Sequence, residues 1–257
     1  MSAPPRVIVT RPEPQATRWV ESLARHGVDA VGLPLIAIGD APDAAAIESA
    51  WRSLPGRRLV MFVSPTAVDR FFAARPTDVT WPAVTSAASP GPGTSRVLLA
   101  CGVPAEAIVE PPADAAQFDS EALWPLLASL DWRDAGVLIV RGERGRDWLA
   151  SRLGDAGARV DGIVAYRRLA PTFDPAQQHT LAAAVAAPAH HAWLFSSSES
   201  IDNLVGCAPE AAGAAATAIA THPRIAARAR AANFGRVVET RPTLADVVAC
   251  IQSLSRD

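Results

Sequence analysis

The sequence predicts an α/β protein with parallel β-sheets, built from two similar halves. Short apolar segments typical of strands alternate with helical patterns along the whole chain. An internal repeat is the second observation, since Phe62-Val63-Ser64 recurs as Phe195-Ser196-Ser197. The third is that each repeated strand passes into its helix through Ser, Thr, Gly or Pro. Strands joined by helices through right-handed crossovers form parallel sheets, which leads to this fold class.

The first half opens with a Val- and Ile-rich strand and a helix with an apolar face that ends at Gly27. Its predicted strands cover residues 7–10, 30–38, 59–63, 83–88 and 108–109. The later helices are predicted over residues 43–54, 66–74, 94–101 and 119–130. Apolar residues at helical spacing, followed by Gly or Pro, set these bounds.

The second half repeats this alternation of strand and helix. Its predicted strands cover residues 137–140, 160–169, 193–195, 218–220 and 237–238. Its helices are predicted over residues 145–156, 174–187, 198–205, 223–233 and 243–254. The two longest extended segments, 30–40 and 160–170, lie at matching places in the two copies. They are either ordinary internal strands or strands that pair and form a hinge between domains.

Composition excludes several classes of protein. Apolar residues make up 49% and charged residues 19% of the 257 residues, which is typical of a globular chain. The net charge of −2 argues against a strongly basic nucleic-acid binder. The chain contains no lysine, so it has neither a Schiff-base lysine nor a Walker lysine. Three isolated cysteines and the absence of a signal peptide or membrane-length apolar run predict a reduced, cytoplasmic protein.

Strand-to-helix junctions are the candidate ligand-binding positions. Thr10, Ser64, Thr94, Ser197 and His222 each stand at such a junction, and Thr94 is expected to be a helix N-cap. Helix N-termini leave backbone N–H groups free to bind anions. Junctions of this kind lie at the carboxyl ends of parallel strands, the usual ligand edge. Two halves with such edges predict a cleft for a ligand with several negative charges.

Other candidate motifs are weaker. The arginine-rich turn Arg141–Arg146 is either a solvated loop or a carboxylate-binding edge. Gly91-Pro92-Gly93-Thr94-Ser95-Arg96 lacks the third glycine of a dinucleotide fingerprint. His190-His191 has no further ligand at metal-binding spacing, and Ser196-Ser197-Ser198 lacks the G-x-S-x-G context of a nucleophile. Tyr166, the only tyrosine, lies on the second long strand, where a packing role and a cleft role are both open.

Taken together, the motifs resemble those of the uroporphyrinogen-III synthase family over nearly the whole chain. The segments that carry the resemblance are Val9-Thr10-Arg11-Pro12, Leu33-Pro34-Leu35, Phe62–Val68, Gly91–Thr94, Gln117–Leu123, Val140–Glu143 with Arg146, Val164-Ala165-Tyr166-Arg167 and His222–Ala226. Their order and spacing together favour this family, although each segment alone is unspecific.

The resemblance implies a fold of two flavodoxin-like or Rossmann-like parallel-sheet domains joined by a two-stranded β-ladder, with a cleft between them. The implied first domain is discontinuous and combines residues 1–34 with 170–257. The second domain is 41–159, and 35–40 and 160–169 are the hinge strands. The sequence repeat and the domain boundary would then be out of phase.

The implied reaction is the cyclisation of hydroxymethylbilane to uroporphyrinogen III, with loss of water and inversion of ring D. We expect no metal and no cofactor, because the sequence lacks metal-ligand clusters, nucleotide-binding loops and lysines. We expect Tyr166 to be the catalytic acid that assists the loss of water. The substrate-binding residues expected from the junctions and the family motifs are Thr10, Arg11, Ser64, Thr66, Thr94, Arg141, Gly142, Ser196, Ser197, Ser198, His222 and Arg224.

The expected partners are the small-molecule substrate and, in transient contact, the preceding enzyme of the pathway, with no nucleic acid and no membrane. A cytoplasmic monomer is expected. Two other functions remain open at this point. One is a non-catalytic binding module for carboxylated tetrapyrroles or other polyanions, and the other is a nucleotide-binding α/β enzyme, against which the missing lysine and third glycine argue.

Overall fold

The computed structural model describes residues 4–254. Its strands are β1 (Arg6–Val9), β2 (Ala30–Gly32), β3 (Ala37–Gly39), β4 (Leu59–Phe62), β5 (Ser86–Ala88), β6 (Ile108–Val109), β7 (Gly136–Gly142), β8 (Arg159–Leu169), β9 (His191–Phe195), β10 (Thr217–Ala220) and β11 (Arg236–Glu239). Its α-helices are α1 (Gln15–Ala24), α2 (Ala44–Ser53), α3 (Pro65–Ala73), α4 (Pro92–Ala100), α5 (Ser120–Ala128), α6 (Trp148–Asp155), α7 (Pro175–Ala186), α8 (Ser198–Cys207), α9 (Pro223–Ala231) and α10 (Leu244–Leu254).

The chain divides into two compact α/β units. The first unit combines the residues up to Ile38 with those from Leu169 onward, and the second unit is Gly39–Arg168. The strand and helix content of both units confirms the predicted α/β class. Independent folding of the two predicted domains stays a prediction.

The sheet of the first unit has five strands in the order β11-β10-β9-β1-β2, and all its ladders are parallel. Numbered within the unit, this is the 2-1-3-4-5 order of flavodoxin-like folds. The central strand β1 is buried on both faces, with Val7, Ile8 and Val9 fully buried. Ile8 packs with Trp193 and Phe195, whereas Val7 and Val9 pack towards α10. Each such side chain stabilises the unit by roughly 1.5–3 kcal/mol through burial.

The sheet of the second unit has six strands in the order β3-β8-β7-β4-β5-β6. The ladders from β8 through β7, β4 and β5 to β6 are parallel. Counted from β4, these five strands follow the 3-2-1-4-5 order of a Rossmann half. One face packs on an aromatic cluster in which the Trp51 and Phe71 rings stack 4.7 Å apart. The Trp51 indole N–H donates to the Phe71 carbonyl at 2.8 Å, so this buried polar group is satisfied.

The predicted continuous strand over residues 30–38 is wrong, because the segment forms two strands in different sheets. β2 pairs with β1, and β3 lies at the edge of the six-stranded sheet beside β8. The break falls at Pro34, which has no N–H to donate to a ladder. Leu33 and Leu35 on either side are fully buried and still donate backbone bonds to Val9 and Thr10. The segment 160–169, in contrast, belongs to the single long strand β8.

The predicted strand over residues 83–88 begins only at Ser86. A turn precedes it, in which the Thr85 N–H donates to the Pro82 carbonyl at 3.2 Å. The buried Thr85 hydroxyl also bonds the Leu54 carbonyl at 2.9 Å. These bonds satisfy Thr85 outside the sheet, which delays the start of the ladder.

Candidate functional site

Each sheet has one point at which the strand order reverses, and ligands of open α/β sheets bind outside the carboxyl ends of the strands there. In the first unit this point lies between β1 and β9, and in the second unit between β4 and β7. We call the residues that follow these two strand pairs the switch-point edge of each unit. Thr10 and Ser196 follow β1 and β9, and Ser64 and Gly142 stand at the ends of β4 and β7. Tertiary topology therefore brings predicted site residues together in pairs.

At the first switch-point edge, the Thr10 side chain links the ends of β1 and β9 by a hydrogen bond. The residue is fully buried, and its hydroxyl donates to the Leu194 carbonyl at 2.8 Å. Thr221 does the same one strand further on, donating from its buried hydroxyl to the Phe195 carbonyl at 3.2 Å. Both threonines thus use their hydroxyl hydrogens within the sheet, and Thr221, at the carboxyl end of β10, is a residue that the sequence analysis did not single out.

Arg11 is a shielded cation at the first edge. Its guanidinium lies 4.5 Å from the centre of the Trp19 ring, a cation–π distance. Within residues 4–254 its buried Nε has no hydrogen-bond partner. Burial lowers the pKa of the Arg11 guanidinium to about 10. Because a shielded cation with an unsatisfied N–H is costly, Arg11 is a natural place for a ligand carboxylate.

The serines after β9 build the start of α8. Ser197 is the N-cap, and its Oγ accepts the Glu199 N–H at 3.2 Å. Ser198 is the first helical residue, while Ser196 is partly buried between strand and cap. A capped helix start still leaves N–H groups for an anion.

His222 is the N-cap of α9, as its position before Pro223 suggested. Its Nδ1 accepts the Arg224 N–H at 3.1 Å, so this nitrogen carries no hydrogen in that arrangement. The Arg224 side chain is exposed, on the first turn of the helix. The pair places an N-terminal helix end and a cation at the carboxyl end of β10.

In the second unit, Ser64 caps α3 and also contacts Tyr166. Its Oγ accepts the Ala67 N–H at 3.2 Å and lies 3.2 Å from the Tyr166 hydroxyl. The Tyr166 side chain is 1% exposed, whereas Ser64 is only partly buried. The structure therefore joins two predicted site residues that are far apart in sequence by a hydrogen bond between their hydroxyls.

Gly142 is required by the approach of this phenol. Gly142 pairs with Tyr166 across the β7–β8 ladder, just after an irregularity in the register. A Cβ added at Gly142 would lie 2.9 Å from the Tyr166 Cζ and 3.2 Å from its hydroxyl oxygen. Glycine is thus the residue that lets the tyrosine ring lie against the strand.

Arg141 and Arg146 are both paired with carboxylates. Arg141 pairs with Asp147, and Arg146 binds both oxygens of Glu121, the second at 2.9 Å. Glu121 holds the pKa of the Arg146 guanidinium above its usual value through the hydrogen bond. The two arginines line a cavity of about 370 Å³ with an apolar floor that includes Met61, Ile139 and Leu149. The arginine-rich turn is therefore a structured part of the second edge.

Thr66 and Thr94 lie in the first turns of α3 and α4. The expectation that Thr94 caps its helix is wrong, since the N-cap is Gly91 and the helix starts at Pro92. Proline is favoured at this first position because its missing N–H is not needed there. Thr66 and Thr94 are both buried, with 8% and 3% exposure. The N-caps of the two helices are Ser64 and Gly91, not these threonines.

Arg168 is a further candidate site residue, which the sequence analysis did not single out. Its Nη2 lies 3.4 Å from the Tyr166 hydroxyl, and its guanidinium carbon lies 5.9 Å from the centre of that ring. Residues two apart on a strand share a face, so Tyr166 at a candidate site was a signal that could have drawn attention to Arg168.

Two features are absent from the described part of the chain, a cluster of metal-ligating side chains and a membrane-spanning helix. Among residues 4–254, no group of three or more His, Cys, Asp or Glu side chains could hold a metal ion. Within the same range, no helix combines the length and apolar character needed to cross a membrane.

Comparison with known proteins relates the chain to one family. The model of the family described as HEM4, uroporphyrinogen-III synthase HemD, matches residues 17–249. A mutant uroporphyrinogen III synthase from Thermus thermophilus is similar in structure, with a TM-score of 0.58 and 18% identity over 98% of this chain and 97% of that one. The uroporphyrinogen-III synthetase of Helicobacter pylori has a TM-score of 0.53 and 14% identity, over 98% of this chain and 100% of that one.

The fold defines an α/β protein of two units, each with candidate site residues at the carboxyl ends of its strands. The structural likenesses bear on the fold, and the family match covers most of the chain. This protein belongs to the uroporphyrinogen-III synthase family, the cyclising lyases of tetrapyrrole biosynthesis. The predicted family is thereby confirmed.

Proposed function

We propose that this protein cyclises hydroxymethylbilane to uroporphyrinogen III, with loss of water and inversion of ring D. The observation that carries the proposal is the family match over residues 17–249. Loss of the hydroxymethyl hydroxyl creates a reactive azafulvene-like cation. Bond formation at the substituted carbon of ring D then gives a spiro intermediate, whereas the uncatalysed reaction gives the isomer without inversion. The enzyme must therefore hold ring D in one orientation while water leaves.

The substrate carries acetate and propionate carboxylates on every ring, so anion binding is the main recognition problem. In the proposed enzyme, N–H groups at the starts of α3, α8 and α9 bind some of these carboxylates. Three observed N-caps support this: Ser64, Ser197 and His222. Thr66, Thr94, Ser196 and Ser198, which lie beside these starts or that of α4, would shape the surface that receives the carboxylates.

Arginines supply the remaining neutralisation in this proposal. Arg11 is the strongest anchor, because its shielded Nε has no hydrogen-bond partner in the described residues. Arg141 already pairs with Asp147, so its guanidinium would interact with both Asp147 and a substrate carboxylate. Arg224 is exposed at a helix start. A bidentate bond from a guanidinium to a carboxylate is both strong and directional.

Tyr166 is proposed as the acid that assists departure of the hydroxyl. Its support is the hydrogen bond to Ser64 at the second switch-point edge and the close fit against Gly142. A positioned proton donor typically accelerates a reaction by roughly a hundredfold or more. No metal or cofactor is assigned a step.

The finer biological setting is also a proposal. A monomer in the cytoplasm would receive hydroxymethylbilane from the preceding enzyme, in transient contact with it, without nucleic acid or membrane. The net charge of −2 agrees with a protein that does not bind nucleic acid non-specifically.

The decisive experiment is a coupled assay from porphobilinogen, with the preceding enzyme supplied and the oxidised products separated by isomer. We expect mostly isomer III with this protein and mostly isomer I without it. Tight binding of the substrate together with isomer I alone would instead identify a non-catalytic binding module. If the protein neither binds the substrate nor converts it, both functions are contradicted.

A further inference from the structure

A buried phenol lies between a cation and a hydroxyl that is closer to solvent. Tyr166 is 1% exposed, and its hydroxyl lies 3.2 Å from Ser64 Oγ and 3.4 Å from Arg168 Nη2. Ser64 is partly buried at the start of α3. Of the two residues, Ser64 is therefore the more accessible to a ligand at this edge.

The hydrogen-bond capacities of the three groups allow a chain of hydrogen bonds that runs from Arg168 to Ser64. A guanidinium only donates, so the Tyr166 oxygen accepts from Arg168. One lone pair of Ser64 Oγ is used by the Ala67 N–H at 3.2 Å. The other can accept the phenol hydrogen, and in that arrangement the hydrogen of Ser64 itself is free to point outward. This arrangement has the donor order Arg168 to Tyr166 to Ser64.

Charge supports the same order. If the phenol gives up its proton, the resulting anion is stabilised by the guanidinium, whose carbon lies 5.9 Å from the ring centre. The ring is held in place by its contact with Gly142, where a Cβ would come within 2.9 Å of Cζ. A fixed donor beside a fixed cation needs little reorganisation during proton transfer.

We propose that Arg168, Tyr166 and Ser64 form a proton relay in which Ser64 is the hydroxyl that touches the substrate. This inference rests on the proposed cyclisation. The Ser64 O–H bond breaks and its proton passes to the leaving hydroxyl, whose C–O bond breaks so that water departs. At the same time the Tyr166 O–H bond breaks and its proton restores the Ser64 hydroxyl, which leaves the electron pair on the phenolate beside Arg168. The proton lost when the pyrrole carbon regains aromaticity returns to the phenolate through Ser64.

In this relay Ser64 and Tyr166 are catalytic residues, and Arg168 is a positioning residue that acts through Tyr166. A hydroxyl that only caps α3 would affect folding or binding, whereas a relay hydroxyl affects turnover. Arg167 provides a matched control, because it is exposed and follows Tyr166 directly on β8. Residues that are adjacent on a strand point to opposite faces.

The kinetic test measures kcat and KM of the full-length enzyme with isomer analysis. We expect Ser64→Ala and Tyr166→Phe each to lower kcat roughly ten- to a hundredfold, the range of a lost proton donor or slightly below it. The double variant should be no slower than the slower single variant, because both residues serve one transfer. Ser64→Thr should keep most of the native turnover that Ser64→Ala loses, since threonine retains both the hydroxyl and a good N-cap.

In the otherwise native enzyme, Arg168→Met should lower kcat about tenfold, as expected when a hydrogen bond from a charged donor is lost. In the Tyr166→Phe variant, adding Arg168→Met should lower kcat no further. Arg167→Met should keep the turnover of the native enzyme. Because Tyr166 is the only tyrosine, labelling with [13Cζ]tyrosine gives a single signal that reports its hydrogen bonding. Ser64→Ala and Arg168→Met should move that signal, and Arg167→Met should not.

The results separate the relay from the underlying function. If the native protein forms no isomer III, the proposed cyclisation fails, whatever the signal shows. If the native protein is active but Ser64→Ala keeps its kcat, the relay is wrong. Multiplicative losses in the double variant, or an unmoved tyrosine signal in Arg168→Met, would overturn it as well.

Discussion

The two switch-point edges grow from equivalent positions of a repeated sequence, yet they differ in how their polar groups are paired. In the first unit, Arg11 is stacked on Trp19 with a shielded Nε that bonds nothing among the described residues. In the second unit, the corresponding arginine at the end of β7, Arg141, is paired with Asp147. The arginine of the first edge thus has an unsatisfied Nε among the described residues, whereas the arginine of the second edge is paired with a carboxylate.

The repeated serines show the same divergence. Ser197 and Ser64 both follow a strand that starts the repeat motif, and both accept a backbone N–H as N-caps. Only Ser64 of the two is within hydrogen-bond distance of a phenol, because Gly142 and β8 bring Tyr166 to it. The repeated sequence therefore gives a capped helix start in both units, while the neighbouring strands decide whether a phenol lies beside that start.

The largest expected effect concerns the acid of the second edge. Tyr166→Phe should lower turnover by roughly ten- to a hundredfold, since one positioned proton donor is lost. The ring shape is kept, so we expect the product to remain mostly isomer III. Steady-state assays with isomer separation measure both quantities. Native turnover in this variant would remove Tyr166 from the chemistry and leave the second edge with binding alone.

Charge reversal should affect the first edge next. Ser197→Asp keeps a good N-cap but places an anion where a substrate carboxylate would bind. We expect near-native melting and a KM raised by at least about tenfold, against less than about tenfold for Ser197→Ala, which loses roughly 1 kcal/mol of hydrogen bonding. Ser64→Asp should lower kcat in addition. An unchanged KM in a folded Ser197→Asp protein would mean that the ligand binds elsewhere.

The fit of Tyr166 against its neighbouring strand can be tested with a pair of glycines. Gly142→Ala puts a Cβ 2.9 Å from the ring, whereas a Cβ at Gly145 meets nothing within 4 Å. We expect Gly142→Ala to lower kcat about tenfold and stability by about 1–3 kcal/mol, the usual cost of overpacking. Gly145→Ala should match the native enzyme in activity and thermal melting. Equal behaviour of the two variants would contradict the positioning role of Gly142.

The smallest effects should come from substituting Arg11 and Arg141, and their ranking shows which of the two edges contributes more to substrate binding. Arg11→Met should raise KM by about three- to tenfold, the low end for a lost charge-assisted bond, because other groups share the binding. Its melting temperature should not fall, since the substitution removes a costly shielded cation but keeps an apolar side chain on Trp19. Arg141→Met should change KM less than Arg11→Met. The reverse ranking would place the main anchor in the second unit.

The contribution of Arg11 to KM should not change with the pH of the assay. Burial lowers the pKa of its guanidinium to about 10, which is still well above neutrality. The group is therefore charged throughout the ordinary assay range, and its contribution to KM should stay constant there. The ratio of KM values for Arg11→Met and native enzyme, measured across pH, checks this; a ratio that falls towards one near neutral pH would contradict it.

Local sequence patterns were sufficient for the features that depend on nearby residues. Alternating strand and helix patterns predicted the α/β class, and Ser64, Ser197 and His222 are N-caps because a cap bonds residues two or three positions away. Thr94 shows the limit of that reasoning, since Pro92 starts the helix earlier and makes Gly91 the cap. The continuous strand over 30–38 failed for a related reason, the missing N–H of Pro34.

Tertiary structure alone decided which of these residues meet. Strand order brings β1 beside β9 and β4 beside β7, and no local pattern encodes that order. The Ser64–Tyr166 contact, the Arg168–Tyr166 bond and the place of Gly142 depend on the ladder between β7 and β8. Hydrogen-bond capacity and periodicity are properties of a short segment, and a sequence displays them. The pairing of a cation, a phenol and a hydroxyl across strands depends on long-range packing, which exists only once the sheet has formed.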